Sequence, residues 1–231
     1  RCKCKNTGKY FNAVTGPIFE RSKLPLQKWF MANYIFSSHK KGISSYQLAR
    51  DLDVTQKTAW FMLHRLRVAF GVATPRLGGL VETDETYIGG DSINRHKNKK
   101  KRSAKGHTIY EKAQVMGILE RKGKIIVKAT ESKTEIINQI SKNVAQNSVI
   151  FTDQANHFTN LSNLPNQYKH YSVAHHKDEY VTRKFIHVNG IENFWSHLKR
   201  GINGIYHWVS VKHLQAYLDE YTLRFNTRKD T

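Results

Sequence analysis

The sequence predicts an α/β protein, a mixed sheet flanked by helices and preceded by a small all-helical domain. Three observations carry that reading. Residues 24–70 show helical apolar spacing, residues 80–173 hold strand-like runs broken by an amphipathic helix, and two more amphipathic helices close the chain. Pro75 with Gly78-Gly79 separates the two regimes. The expected organisation is a remnant segment over 1–23, a helical domain over 24–79 and an α/β domain over 80–231.

At the front, Cys2-Lys3-Cys4 with Lys9-Tyr10-Phe11 has the form of the trailing edge of a small zinc-ribbon hairpin. A four-ligand Zn²⁺ site needs a second cysteine pair, and the chain holds only these two cysteines, so zinc at Cys2 and Cys4 is not expected. The same count excludes a disulfide framework and points to a reducing, cytoplasmic compartment. The chain begins at Arg1 without Met, the mark expected of a piece of a longer protein.

Residues 24–36 place Trp29, Ala32 and Phe36 on one helical face. The run Ile43 to Trp60 then has the shape of a helix-turn-helix. Ser44 or Ser45 caps a short helix with Leu48, Ala49 and Leu52 inward, the chain turns at Asp53-Val54, and Thr55 caps a second helix to about Phe70. Ala59, Met62, Leu63 and Leu66 face inward, which leaves Gln56, Lys57, Arg65 and Arg67 to meet a DNA groove or phosphates. An ordinary amphipathic helix pair fits the same spacing.

After Gly79 the pattern turns to strands at 80–88, 113–119 and 124–130, the last two a hairpin across Arg121-Lys122-Gly123. Between the first two lies an insertion at 91–110 with seven Lys/Arg and hardly any apolar residue. It reads as a solvated loop, or as a DNA-tracking arm through Lys97, Lys99, Lys100, Lys101 and Arg102. A helix at 134–145, a strand at 148–152, a short polar helix near 155–163, a strand at 168–173 and helices at 188–200 and 211–226 follow. That order is close to a ribonuclease H-like domain.

A formal charge of +20 over 231 residues calls for a polyanionic partner, and 39% hydrophobic content marks a folded chain rather than a basic tail. No apolar run reaches the length of a membrane span.

Three carboxylates stand in separate settings. Asp84 is on the first long strand, Asp153 ends Val149-Ile150-Phe151-Thr152, and Glu192 lies on the helix at 188–200. Acids gathered from distant segments are what holding divalent ions over a phosphodiester requires. Glu82, which shares Asp84's strand face, and Glu85 compete with it. On the later helix, Asn189, Glu192, Ser196 and Lys199 share one face, and Ile191, Phe194, Trp195 and Leu198 form the apolar stripe. Solvated surface charges are the plain alternative for Glu192 and Lys199. Lys199-Arg200 lead into Gly201, where backbone could approach DNA. His175-His176 lack partners at zinc-ligand spacing.

Two runs make a resemblance specific. Glu82-Thr83-Asp84-Glu85-Thr86-Tyr87-Ile88-Gly89-Gly90 is followed by Lys/Arg-rich sequence. Val188-Asn189-Gly190-Ile191-Glu192-Asn193-Phe194-Trp195-Ser196-His197-Leu198-Lys199-Arg200-Gly201 is followed by Tyr206-His207 and Lys212-His213-Leu214. Together they resemble the IS1595-type, ISXO2-like insertion-sequence transposases of the DDE superfamily. The resemblance implies that Asp84, Asp153 and Glu192 are the catalytic acids and metal ligands, with Lys199 as the basic residue seven positions later. It implies Mg²⁺, with Mn²⁺ as substitute, and double-stranded DNA partners, both terminal inverted repeats and target. It also implies a homo-oligomer on DNA, nucleoid-associated in the cytoplasm. Some members have Asn in place of the third acid, which gives Asn189 a claim. A transposase-derived regulator without catalysis and a stand-alone metal-dependent nuclease are the rival readings.

Overall fold

A computed structural model of the chain describes residues 2–11, 18–71, 75–90, 112–153, 167–173 and 186–229. The expected helix near 155–163, the basic insertion and His175-His176 lie outside the described residues. The chain divides into two units, Arg1–Gly71 and Val72–Thr231.

In the first unit, β1 (Cys2–Lys3) pairs antiparallel with β2 (Tyr10–Phe11). Three helices follow, α1 (Leu26–Ser38), α2 (Ser45–Leu52) and α3 (Gln56–Ala69). The Ser44 hydroxyl accepts from the Gln47 N–H and the Thr55 hydroxyl from the Thr58 N–H, both at 3.2 Å, so each helix starts on a side-chain cap. Such caps contribute about 1 kcal/mol each. Between α2 and α3, Asp53 adopts φ +49°, a left-handed conformation that Asp tolerates. Lys28 Nζ donates to the Asp53 carbonyl at 2.9 Å and ties α1 to the turn. Trp29, Ala32, Phe36, Leu48, Met62 and Leu66 close the core, with the Trp29 indole N–H on Ser22 Oγ at 2.8 Å.

The second unit is built on a five-stranded sheet of β3 (Leu80–Ile88), β4 (Ala113–Glu120), β5 (Ile125–Thr130), β6 (Val149–Asp153) and β7 (Lys169–Val173). The spatial order is β5-β4-β3-β6-β7. The first three strands are a meander, while β6 runs parallel to β3 and β7 parallel to β6. Two-residue alternation splits the sheet into two cores. On one face Val81, Met116, Ile118, Ile126 and Ile150 pack with Ile136 and Ile140 of α4 (Lys133–Asn143). On the other, Val115, Leu119, Ile125, Val127 and Phe151 pack under α5 (Asn189–Gly201) and α6 (Val211–Asn226). This is the ribonuclease H-like mixed sheet flanked by helices that the element order predicts.

A π-helical turn, Ile202–Tyr206, prolongs α5. Gly201 sits there because a Cβ would fall on the Tyr221 hydroxyl. The free edge of β5 is covered by carboxamides of α6. Ile125 N–H donates to Asn226 Oδ1 at 2.8 Å and Asn226 Nδ2 returns a bond to the Ile125 carbonyl at 3.0 Å. Ala129 N–H donates to Gln215 Oε1 at 2.9 Å, and Gln215 Nε2 donates to the Val127 carbonyl at 3.1 Å.

Candidate active site

β3 and β6 are paired in parallel from Leu80↔Val149 to Thr83↔Thr152. One residue past this last paired rung stand Asp84 on β3 and Asp153 on β6. Both project to the face that α5 covers, and β6 ends at Asp153. Glu192 is exposed on α5, on the side away from its buried stripe of Ile191, Phe194, Trp195 and Leu198. Burial pushes the Asp84 carboxyl up from its ordinary value of 3.8; the charges of Asp153 and Glu192 push the same way, against hydrogen bonds from the Glu85 backbone and Trp195. The charges of Asp153 and Glu192 are thus felt at Asp84, although the three sequence positions are far apart.

The two competitors of Asp84 have other employment. Glu82 is 1% exposed and accepts from Arg121 Nε at 2.8 Å and from the Ile191 backbone N–H at 3.0 Å. His187 Nδ1 stands 3.5 Å from the same carboxylate. α5 has no side-chain cap of its own, so Glu82 supplies an anion to its first turn from the strand below. Gly190 permits this approach, since a Cβ there would lie 2.8 Å from Glu82 Oε2. Glu85 points to the opposite face and accepts from Gln114 Nε2.

Trp195 is a participant that the sequence pattern assigns only to the core. It is 5% exposed, and its indole N–H donates to Asp84 Oδ2 at 3.0 Å. The rung partner of Asp84 on β4 is Gly117, where a Cβ would lie 2.8 Å from the indole Cζ2. The missing side chain is what lets the ring lie across β4. A buried indole N–H needs an acceptor, which is the signal in the sequence that points to a polar role.

Lys199 and Arg200 are exposed in the last turns of α5, with Arg200 Nε on the Ser196 carbonyl at 3.1 Å. Asn189 is exposed in its first turn. In the first unit Lys57 is exposed, while Gln56 Nε2 donates to Ser45 Oγ at 2.8 Å. Arg65 donates to the Glu20 carbonyl at 3.0 Å and lies over the Trp29 and Phe61 rings. Arg67 corrects the expectation of a DNA contact: it is 1% exposed and out of reach of phosphates. Its position continues the inward spacing of Ala59, Met62, Leu63 and Leu66 by one more helical step. Lys97, Lys99, Lys100, Lys101 and Arg102 lie outside the described residues.

The donor set of Asp84, Asp153 and Glu192 is all carboxylate oxygen, the chemistry of a hard divalent cation. It fits in kind, because a cation would relieve the mutual repulsion felt at Asp84. Among the described residues, no three His, Cys, Asp or Glu side chains converge tightly enough to enclose an ion, either here or at Cys2 and Cys4.

Residues 76–226 match the profile of the ISXO2-like transposase domain, well over half of the chain. The chain belongs to the ISXO2-like transposases. It is 29% identical over 235 residues to an uncharacterised protein in transposable element ISH50 of Halobacterium salinarum, covering 97% of this chain and 78% of that one. An uncharacterised transposase-like protein of Haemophilus influenzae is 26% identical over 102 residues, 44% of this chain and 78% of its own. Among solved structures, the Mos1 strand transfer complex aligns over 90% of this chain and 76% of that chain at 12% identity, with a TM-score of 0.34. Among the described residues of this ISXO2-like chain, no helix is long and apolar enough to cross a membrane.

Proposed function

We propose that this transposase cuts and joins insertion-sequence ends by metal-assisted phosphoryl transfer at Asp84, Asp153 and Glu192. The observation that carries the reading is that Asp84 and Asp153 each follow the last paired rung of β3 and β6, under a helix, and that the charges of Asp153 and Glu192 are felt at Asp84. Bound Mg²⁺, or Mn²⁺ in its place, would supply Lewis-acid polarisation of the phosphodiester and of the attacking oxygen. Asp84, Asp153 and Glu192 would together hold the ions through their carboxylate oxygens.

Lys199 lies seven residues beyond Glu192 on the same exposed face, about 10.5 Å along the helix axis. From there it grips a phosphate flanking the cleaved one, and Arg200 extends the contact. A water is aligned first to free the 3′-OH of the element, and that hydroxyl later attacks target DNA in line. The exposed Lys57 of the helical unit and the basic stretch at Lys97, Lys99, Lys100, Lys101 and Arg102 would contribute the salt-sensitive grip on double-stranded ends. Joining two ends calls for at least two copies of the chain, working at the nucleoid.

Asp84→Asn, Asp153→Asn and Glu192→Gln each test the reading on a labelled element end with Mg²⁺. Cleavage should be lost while end binding stays near wild type. Retained cleavage in Glu192→Gln with loss in Asn189→Ala would move the third ligand to Asn189. Cleavage without strand transfer in the wild type would favour the nuclease, and binding without cleavage the regulator.

A further inference from the structure

α5 touches the outward face of β3 through two hydrogen bonds whose spacings match. On the helix the donors are the Ile191 backbone N–H and the Trp195 indole, four residues apart, or about 6.0 Å of rise. On the strand the acceptors are Glu82 and Asp84, two residues apart, or about 6.6 Å. Helix and strand are thus pinned at two points of nearly equal pitch, and Glu192 sits in the turn between the donors. Three further features permit the contacts. Gly190 makes room for Glu82, Gly117 makes room for the indole, and Arg121 balances the buried Glu82 charge.

We propose that Trp195 is a positioning residue, which, with Gly117 beneath it and Glu82 at the other pin, orients the Asp84 carboxylate and fixes Glu192 opposite it for cation binding. The inference rests on the reading of Asp84 and Glu192 as metal ligands. Trp195 does not touch substrate. Its hydrogen bond to one oxygen of Asp84 restrains the carboxylate's rotation, and its packing holds the helix that brings the third acid. A Trp held only by packing would tolerate Phe with no effect on the acids.

The test has an arm that needs no cleavage. The chain has four tryptophans, so ¹⁵N-labelled indoles give four resonances, and Trp195→Phe identifies its own. That resonance should move in Asp84→Asn and in Gly117→Ala, and immobility in both overturns the inference whatever the enzyme does. The second arm is Mn²⁺ binding to the free chain, followed by electron paramagnetic resonance. Trp195→Phe and Gly117→Ala should each weaken Mn²⁺ affinity about tenfold, the scale of one hydrogen bond to a charged group.

The double variant should be no weaker than either single variant, because both remove the same bond. Additive losses, or wild-type affinity in both, overturn the proposal. On DNA, excess Mn²⁺ should rescue cleavage by Trp195→Phe, and end affinity should not change. If the wild type fails to cleave while the indole and Mn²⁺ responses appear as stated, the proposed activity falls and the positioning role stands.

Discussion

Removing Glu82 is the sharpest test of how α5 is held to the sheet. In Glu82→Ala the Arg121 guanidinium, 14% exposed, loses the carboxylate at 2.8 Å, and the Ile191 N–H loses its acceptor at 3.0 Å. Breaking a buried ion pair by deleting one partner commonly costs about 3–5 kcal/mol, since the remaining charge stays buried. Arg121 retains two other interactions, Nη2 on the His187 carbonyl at 2.6 Å and its stacking 4.1 Å over the Phe151 ring. These place the cost at the lower end, about 3 kcal/mol. For a unit of this size each kcal/mol moves the melting temperature by about 2–4 °C, so the fall should be about 6–12 °C. Differential scanning calorimetry of the full chain at neutral pH measures it. Glu82→Leu with Arg121→Met should recover much of the loss, because a matched apolar pair leaves no orphaned charge. A fall below about 2 °C would refute the argument that Glu82 is a buried structural anion.

Asp84 should behave in the opposite sense in the absence of metal. Its carboxyl is raised by burial, so its contribution to stability is present below the ordinary value of 3.8 and is lost as pH rises through the raised value. Asp84→Asn should therefore raise the urea midpoint of the metal-free protein at neutral pH, with the advantage vanishing in acid; equal midpoints at neutral pH count against the assignment. In the helical unit, Lys57→Ala should lower end affinity and reduce the salt slope by about 0.9 while leaving melting unchanged. Arg67→Ala should do the reverse, destabilising the unit with no change in salt slope, and a slope change without destabilisation would return Arg67 to the DNA surface. Replacing Lys97, Lys99, Lys100, Lys101 and Arg102 with Ser should weaken DNA binding and flatten its salt dependence by up to about 0.9 for each phosphate no longer neutralised. A large drop in melting temperature would show instead that these residues are structural.

Much of the fold was legible because its signals are local. The caps at Ser44 and Thr55, the alternation in β3 and the helical stripe of α5 each fall within a few residues, and the structure keeps all of them. Asp84 and Asp153 were readable as strand acids for the same reason. Glu82 was not separable from Asp84, because parity puts both on one face and the residues that distinguish them are distant. Arg121 is 39 positions away and Ile191 is 109. The charge of Arg67 points outward and its spacing inward, and the spacing prevails, since Ala59, Met62, Leu63, Leu66 and Arg67 follow one inward series. The role of Trp195 depends on a glycine in another strand, and no window along the chain contains both.

The carboxamides of Gln215 and Asn226 have a consequence for assembly. A side-chain amide carries the same donor and acceptor as a peptide group, so α6 lies against β5 as a sixth strand would, without being one. Both outward backbone groups of Ile125, the carbonyl of Val127 and the N–H of Ala129 are engaged by it and are not offered to a newcomer. Another copy of the chain cannot lengthen the sheet on this side without first peeling the last helix away. A covered edge of this kind offers no ready template for strand pairing with a second chain.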